Sequence, residues 1–479
     1  MQLIWYRQDL RISDHSALWH AAQAGPCIAI AFISPAQSKL HDESAAKSTF
    51  YLRQLNALKS QLNQLNIPLK IVQIPLWKDI AEALQTLCCQ LKIHTVHANI
   101  EIGLNELQRD AQSQKCLERM NIPLELYHDR TIFPIGSILN KSNQPYQVFS
   151  AFKKQCYELL SIALPQCYPE IKAQQPLLAE KLSDLQHGNM DISQCIADAS
   201  IQPLQKLWPV SEHYALEQLD QFIENHLYQY KEQRDFPNLD TTSQLSPYLN
   251  TGILSIRQCL QAMFRKQQGY FQIDNAGQQT WLDELLWREF YQHILFHYPA
   301  VSKRLPFESS TLTVQWRDAE HDLNAWQQGQ TGIPIVDAGM RQLLHTGWMH
   351  NRVRMITAMF LCKNLLIDWR LGEKWFMQHL IDGDLAANNG GWQWCASTGT
   401  DAVPYFRIFN PVSQSQKFDP DGAYIRQWVP ELADLDAARI HDPFSKFPDD
   451  RSLNYPRPIA DLKHSRTRAI EAFKITTSP

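Results

Sequence analysis

The stretch DGDLAANNGGWQW at residues 382–394 places two acids, two neighbouring amides and two indoles within thirteen positions. Its carboxylates and amides would each need a hydrogen-bonding partner if they were buried. Ala386 and Ala387 are too small to anchor a hydrophobic core. Residue types of this kind, gathered in one place, indicate a polar site for a ligand rather than a segment that only packs.

The segment WLDELLWREF at residues 281–290 reads as a helix with Trp281, Glu284 and Arg288 on one face. Trp287 follows Glu284 by three residues, so two indoles flank this carboxylate. The plainer alternative is a surface Glu284–Arg288 pair worth ~0.2–0.5 kcal/mol beside core tryptophans. Taken alone, this helix favours the plainer alternative.

The segment TGWMHNRVRM at residues 346–355 favours a site wall. Trp348, Asn351 and Met355 align on one helix face with Arg352 beside them, whereas Arg354 is expected to point elsewhere and to pair with an acid of residues 382–394. Methionine often only fills core gaps, and arginines usually reach solvent, so the packing alternative stays open here.

The segment TTSQLSPYLNTG at residues 241–252 supplies four hydroxyls within six residues, before a helical pattern. Hydroxyls and free backbone N–H groups at a helix start can hold an anion such as a pyrophosphate. An ordinary N-cap is the commoner use of such a cluster.

Composition excludes several classes of protein. No GxG occurs, so the dinucleotide fingerprint is missing, as are the phosphate loop, the GxSxG elbow and HExxH. The net charge of −4 means that any nucleic-acid contact must be a local patch.

Ten cysteines without a CxxC indicate neither a metal site nor a disulfide framework, and favour a reducing cytoplasm. We expect no signal peptide and no membrane span. Nine of the fourteen tryptophans lie between residues 281 and 394.

The elements that position these residues differ along the chain. Five apolar runs alternate with helical patterns such as residues 45–65. This alternation predicts a parallel five-stranded, Rossmann-like sheet. Its predicted strands are residues 3–7, 27–34, 69–74, 94–100 and 124–129. From residue 206 onward the patterns are helical, with long ones at residues 281–298 and 349–369. Pro334 and Gly347 mark the start and stop of another helix. The predicted domains are residues 1–130, a connector over 131–205, and a helical domain over 206–479.

Together, these motifs resemble the DNA photolyase and cryptochrome family, and within it the folate-type bacterial branch that acts on cyclobutane pyrimidine dimers. The resemblance runs from WYRQDLRISDH near the start to YPRPI near the end, and is densest across MHNRVRMITAMFLCKNLLIDWR and LIDGDLAANNGGWQWCASTGTDAVPYFRIFNP. It implies an α/β antenna domain followed by an all-α domain that binds bent FAD and DNA. A bent FAD without a Rossmann glycine motif agrees with the missing GxG.

The resemblance also implies a role for individual residues in flavin binding. It pairs Asp382 with Arg354 beside the flavin ring, places Asp384 at the polar edge of the cofactor and Asn388 at flavin N5, and has Gly390 and Gly391 turn the backbone tightly. Gln244 stands where close relatives often have Arg, which implies slightly altered pyrophosphate contacts. The full implied set is Tyr230, Thr242, Ser243, Gln244, Leu245, Ser246, Trp281, Glu284, Arg288, Trp348, Asn351, Arg354, Asp382, Asp384 and Asn388.

Three further sets follow from the same resemblance, and none includes a metal. Glu284 and Asn388 are implied to act in repair, with an electron-transfer chain through Trp392, Trp369 and Trp316. The implied DNA contacts are Arg234, Trp287, Asn351, Arg352, Met355, Trp394, Arg407 and Gln414. A 5,10-methenyltetrahydrofolate antenna is implied at His41, Asn105, Glu106 and Lys303, although IGLNELQRD diverges from relatives next to Asn105.

The implied reaction is light-driven: excited, reduced FADH⁻ gives one electron to the dimer, the cyclobutane ring splits, and the electron returns. We expect a cytoplasmic monomer that associates with the nucleoid when it binds damaged DNA. The alternatives are a cryptochrome that senses blue light without repair, a (6-4) photoproduct photolyase, and a helical DNA-binding protein without flavin. Asn388 stands against the first alternative, because plant-type receptors tend to carry Asp there. Asn351 and Met355 stand against the second, because its pattern has histidines at those positions.

Overall fold

A computed structural model describes residues 1–178, 185, 188–193, 202–448 and 450–477. The chain divides into two compact units. The first unit comprises residues 1–228 and 243–299, and the second comprises residues 229–242 and 300–479. The predicted domain boundaries at residues 130 and 205 stay a prediction, because they concern which segments bind the antenna, FAD and DNA.

The first unit is built on a parallel sheet of five strands in the order β3-β2-β1-β4-β5. The strands are β1 (Gln2–Tyr6), β2 (Cys27–Ile33), β3 (Leu69–Gln73), β4 (Thr95–Asn99) and β5 (Leu124–Tyr127). Alternate residues of β1 enter two separate cores, Leu3 and Trp5 on one face and Ile4 and Tyr6 on the other. The sheet is therefore covered on both faces, and the predicted five-stranded α/β fold is confirmed.

Helices surround this sheet and complete the first unit. They are α1 (Ser16–Ala24), α2 (Pro35–Leu40), α3 (Ala45–Gln64), α4 (Ile80–Gln90), α5 (Leu104–Glu118), α6 (Phe149–Ile162), α7 (Gln202–Leu207), α8 (Glu212–Asn225), α10 (Ser246–Thr251), α11 (Ile256–Met263) and α12 (Ala276–His297). The predicted helix at residues 281–298 is thus the greater part of α12, which begins earlier because Asn275 caps it.

The regular elements of the second unit are helices and helical turns, and its described residues contain no strand. Its helices are α9 (Tyr230–Gln233), α13 (Glu320–Gln327), α14 (Pro334–Thr346), α15 (Asn351–Met359), α16 (Trp369–His379), α17 (Leu385–Ala396), α18 (Pro411–Phe418), α19 (Ala423–Trp428) and α20 (Leu462–Thr477). Pro334 occupies the first turn of α14 and Gly347 ends it at φ +68°, which confirms both predicted boundaries.

The expectation of one long helix over residues 349–369 is wrong. Helix α15 passes into a π-helical turn at Phe360–Asn364, Leu366 adopts a left-handed φ of +52°, and α16 begins at Trp369 behind the N-cap Asp368. Apolar periodicity does not reveal where the helical hydrogen-bond pattern widens. Here the widened turn carries the fully buried Lys363, whose Nζ donates to the carbonyl of Ala396 and to Ser397.

Throughout the described ranges, we find no helix with both the length and the apolar character that a membrane crossing requires.

Candidate functional site

Residues 382–394 form a capped helix start followed by most of helix α17. The Asp384 carboxylate accepts a hydrogen bond from the Ala387 backbone N–H at 2.9 Å, as an N-cap. Gly390 and Gly391 lie inside α17, so the implied tight turn at this pair is wrong. A Cβ added at Gly391 would meet nothing within 4 Å, and this glycine lines a pocket. Its missing side chain therefore leaves open space beside the helix.

That pocket lies within the second unit and has a volume of about 150 Å³. Its walls come from α15, α16, α17 and the residues before α17. The lining residues are Asn351, Arg354, Met355, Ala358, Phe376, Leu380, Asp382, Asp384, Ala387, Asn388, Gly391, Trp392 and Cys395. Six of the residues predicted to bind flavin or act on it are thus brought together around one cavity: Asn351, Arg354, Asp382, Asp384, Asn388 and Trp392.

An arginine–carboxylate pair closes one side of the pocket. Arg354 Nη2 donates to both oxygens of Asp382 at 3.1 and 2.9 Å, and Arg354 Nε donates to the Met349 carbonyl at 2.8 Å. The predicted pairing of Arg354 with an acid of residues 382–394 is confirmed. The expected orientations of the two arginines were wrong, because Arg354 lines the pocket and Arg352 instead contacts Asp235.

The two neighbouring amides of α17 have different partners. Asn388 Nδ2 donates to the backbone carbonyl of Glu373 at 3.0 Å, so its Oδ1 is the side-chain atom that remains as an acceptor at the pocket. Asn389 is buried and donates to the Glu373 carboxylate at 2.8 Å, while Gln393 donates to Asn389 at 2.8 Å. Asn389 therefore belongs to the core. Sequence reasoning missed the anchoring Glu373, which no local motif distinguishes.

The three tryptophans of the implied electron-transfer chain belong to one hydrophobic cluster. Trp392 and Trp369 are buried in it, and Trp316 packs against it while partly exposed. Trp392 lines the pocket, and its indole Nε1 is buried without a hydrogen-bond partner in the part of the chain that the structure describes. Phe376 meets the Trp392 ring edge-on at 4.9 Å between centroids.

Basic residues implied in DNA binding lie elsewhere in the second unit. Arg352 Nη2 lies 2.7 Å from the carboxylate of Asp235, and Arg234 Nε lies 3.8 Å from the same group. Arg234 also lies over the ring of Tyr230 at 5.4 Å. Arg407 is exposed, and Gln414 is on α18. Trp394 packs partly buried against the cluster that holds Trp392.

Helix α12 of the first unit carries the other implied flavin and DNA residues. Trp281 is buried against Phe222, with ring centroids 5.0 Å apart, and Glu284 is half-buried. Trp287 stacks on Phe149 at 3.7 Å. Arg288 Nη1 donates to the carbonyl of Arg130 at 2.8 Å.

The hydroxyl cluster precedes the short helix α10. The N-cap position of α10 is Leu245, which has no side-chain acceptor, so the ordinary N-cap interpretation of these hydroxyls is wrong. Gln244 adopts a left-handed φ of +48° just before it. For a residue other than glycine this is an uncommon backbone conformation, and such conformations concentrate at functional sites.

Three of the four residues implied for the antenna lie in the first unit near the carboxyl edge of the sheet. His41 Nε2 is 2.9 Å from the amide nitrogens of both Asn105 and Gln37, and its ring meets Trp77 edge-on at 4.8 Å. Desolvation, and then the charge of Glu101, raises the pKa of Glu106 to about 7. Lys303 is exposed in the second unit. Sequence reasoning missed Gln37 and Trp77.

Comparison with known proteins gives the following likenesses. Residues 2–170 match the model for DNA photolyase, and residues 281–475 match the model for the FAD binding domain of DNA photolyase. The chain is 42% identical to a deoxyribodipyrimidine photo-lyase of Salmonella typhimurium over 476 residues, and 40% identical to one of Escherichia coli over 478 residues. Each of these alignments covers 98% of both chains.

Solved structures agree with these matches. A class III photolyase from Agrobacterium tumefaciens superposes with a TM-score of 0.87 at 33% identity, over 99% of this chain and 97% of the other. A Sulfolobus tokodaii photolyase described with two FAD molecules gives 0.80 at 26% identity, over 99% and 100% of the two chains. A Synechocystis cryptochrome gives 0.80 at 28% identity, over 98% and 99%.

Proposed function

The chain belongs to the DNA photolyase family, and we propose that it is a deoxyribodipyrimidine photo-lyase that uses light to split cyclobutane pyrimidine dimers in DNA. The observation that carries this proposal is the pocket in which the Arg354–Asp382 pair, Asn388 and Trp392 meet. We expect a photoreactive ring to bind next to a charged pair, a hydrogen-bonding amide and an aromatic side chain. The Arg354–Asp382 pair, Asn388 and Trp392 provide these three groups in this pocket.

The residues present fit part of a flavin. Trp392 contributes an aromatic side chain to the lining, Asn388 keeps its carbonyl oxygen as an acceptor, and Gly391 leaves space where a side chain would stand. When bound in reduced form, FAD supplies the light-excited electron that opens the cyclobutane ring and takes it back afterwards. A volume of about 150 Å³ holds only part of such a cofactor. The remaining contacts that we propose from the family resemblance are Tyr230, Thr242, Ser243, Gln244, Leu245, Ser246, Trp281, Glu284, Arg288 and Trp348.

The pocket residues act by orientation and electrostatics. The Arg354 guanidinium presents a fixed positive charge, and Asp382 holds it in place, which favours an electron-rich ring. Phe376, Leu380 and Ala358 contribute apolar side chains to the same lining.

Trp392, Trp369 and Trp316 are proposed to bring electrons from the surface to the pocket. Their membership of one cluster supports this, since Trp392 borders the pocket while Trp316 is partly exposed. The route would reload an oxidised cofactor and is separate from the repair step.

A folate antenna is proposed at His41, Asn105, Glu106 and Lys303. The contact of His41 with Asn105, beside the indole of Trp77, supports a binding place for a flat, polar chromophore in the first unit. The solved structure with two FAD molecules is described as implying a different light-harvesting cofactor, so the absorption spectrum decides the class.

DNA is proposed to bind through phosphate contacts of Arg234, Arg352, Arg407 and Gln414, with Trp287, Trp394, Met355, Asn351 and Glu284 against the lesion. Cation–phosphate contacts give affinity without sequence preference, as a scanner of lesions requires. Photolyases extrude the damaged base from the duplex before they act on it. We place the protein in the cytoplasm as a monomer, on the nucleoid when DNA-bound.

The decisive experiment is repair under light. Purified, reduced protein should restore intact pyrimidines in ultraviolet-damaged DNA under near-ultraviolet or blue light, and should leave the lesions in darkness. Repair in darkness would contradict the mechanism. A flavin-containing protein without repair would instead support the blue-light receptor that the Synechocystis cryptochrome likeness offers.

A further inference from the structure

Asp235 engages two arginines of the second unit at once. Its Oδ2 accepts a hydrogen bond from Arg352 Nη2 at 2.7 Å, and its Oδ1 lies 3.8 Å from Arg234 Nε. The side chain of Asp235 is 30% exposed, against 17% for Arg234 and 19% for Arg352. The carboxylate is therefore the most accessible member of the cluster, where an incoming anion would first meet it.

Aromatic side chains hold Arg352 in position for an anion. Its guanidinium lies over the ring of Phe418 at 4.6 Å, and Phe236 packs edge-on against Phe418 at 6.4 Å. The Arg352 Nε is buried and has no hydrogen-bond partner within the described ranges. A stacked, planar guanidinium of this kind loses little entropy when it binds a two-oxygen anion, whether carboxylate or phosphate.

We propose that Asp235 is an internal competitor for DNA phosphate, and that it lowers the affinity of the enzyme for intact and damaged DNA alike. The inference rests on the proposed function, in which Arg234 and Arg352 contact phosphates. Any duplex, intact or damaged, must displace the tethered carboxylate to reach these arginines. The cost of the lost ion pair is therefore the same for both ligands.

In this scheme Asp235 limits how tightly the enzyme holds any DNA through its phosphates. A scanner with fully available arginines would be held by the great excess of intact DNA. The same pair contributes little to folding, because partly exposed ion pairs have small effects on stability. Asp235 therefore acts on affinity rather than on the fold.

The test compares the Kd of wild-type protein and three variants for a labelled duplex of defined sequence, intact or with one central thymine cyclobutane dimer, in darkness over a salt series. Asp235→Asn should bind intact duplex about fivefold tighter at low salt, with a slope of log K against log salt steeper by about one. Binding of the dimer duplex should tighten by a similar factor, because the same carboxylate is displaced in both complexes. Arg352→Gln combined with Asp235→Asn should abolish most of the gain.

Asp434→Asn is the matched control, because it removes one exposed carboxylate from the same unit and changes the net charge equally. It should change binding by less than about twofold. Equal effects of Asp434→Asn and Asp235→Asn would overturn the proposal, and so would weaker binding of intact DNA by Asp235→Asn, which would show that Asp235 orients the arginines for phosphate. Flavin content and the unfolding midpoint report the fold of each variant. Failure of the proposed function is distinct, since wild-type protein would then neither prefer nor repair the dimer.

Discussion

Arg354 of helix α15 and Asp382, which precedes helix α17, are joined by two hydrogen bonds of 3.1 and 2.9 Å at the wall of the pocket. Twenty-eight residues separate them in the chain. The pair therefore fixes the distance between two helices and also orients a positive charge toward the cavity. Loss of either role should be visible in cofactor binding.

Asp382→Asn should reduce FAD affinity by roughly tenfold to a hundredfold, since removal of a hydrogen bond to a charged group costs about 1.5–3 kcal/mol. The flavin-to-protein absorbance ratio after gel filtration measures this directly. Glu431→Gln is the control, because it breaks another arginine–carboxylate pair of the same unit, Arg341–Glu431 at 2.8 Å, whose members do not line the pocket. Equal flavin loss in both variants would mean that the Arg354 pair is only structural.

The two neighbouring amides of α17 should respond differently to the same change. Asn388→Asp places an oxygen against the Glu373 carbonyl and a negative charge beside the pocket, so reduced flavin should be destabilised relative to oxidised flavin. A redox titration should show a lower potential, and urea unfolding should show a smaller loss of stability than in Asn389→Asp, because Asn388 is only partly buried. Asn389→Asp instead places a second carboxylate against Glu373 in the core and should cost about 2–4 kcal/mol of stability in urea unfolding. Identical behaviour of the two variants would contradict this division of roles.

The sheet was predictable because its strands are buried on both faces. Each apolar run, such as residues 27–34 for the strand Cys27–Ile33, ends within about two residues of the observed element. The π-helical turn at Phe360–Asn364 was not predictable, because it follows α15 without a proline or glycine to mark a change. Hydrogen-bond geometry, rather than residue type, distinguishes the two kinds of turn.

The site was predictable only where both partners stand in distinctive stretches of sequence. The Arg354–Asp382 pair could be anticipated, since a charge that is withdrawn from solvent needs a counter-charge and residues 382–394 supply acids. Asp235 and Glu373 could not, because neither stands in a distinctive motif. The role of Gly391 was misjudged for a related reason, since a glycine needed for space has the same sequence signature as one needed for a turn.

Trp316→Phe should lose most light-driven reduction of oxidised flavin and keep repair by chemically reduced enzyme. Trp316 is the partly exposed member of the cluster that contains Trp369 and Trp392, and phenylalanine is much harder to oxidise than tryptophan. Absorbance changes under blue light with a thiol follow reduction, and a dimer-repair assay follows catalysis. Trp375→Phe, in the same cluster but outside the proposed route, is the control. Unchanged photoreduction in Trp316→Phe would show that electrons enter elsewhere.

Glu106 should make the free energy of unfolding depend on pH. The dependence should fall between the ordinary pKa of its carboxyl group and the pKa of that group in the folded chain. Desolvation raises the pKa of Glu106 from 4.5 to about 7 in the folded chain, so the folded state holds a proton that the unfolded state releases in this window. Unfolding free energy should therefore fall as pH rises from 4.5 to 7 and then level off, as far as this group contributes. Urea unfolding of wild type and Glu106→Gln at several pH values isolates the contribution. A constant difference between the two proteins from pH 5 to 8 would contradict it.

Two glycines near the pocket should give opposite results when changed to alanine. Gly391 lies in α17 with open space at its Cβ position, so Gly391→Ala should raise the stability of flavin-free protein by about 0.5–1 kcal/mol, as alanine favours a helix. The same methyl group projects into the pocket and should weaken FAD binding. At Gly372 a Cβ would lie 2.1 Å from the Trp392 ring, so Gly372→Ala must displace this indole and lower stability. Urea unfolding and flavin titration of both variants separate the effects. A Gly391→Ala protein with unchanged FAD affinity would mean that the cofactor does not reach this wall.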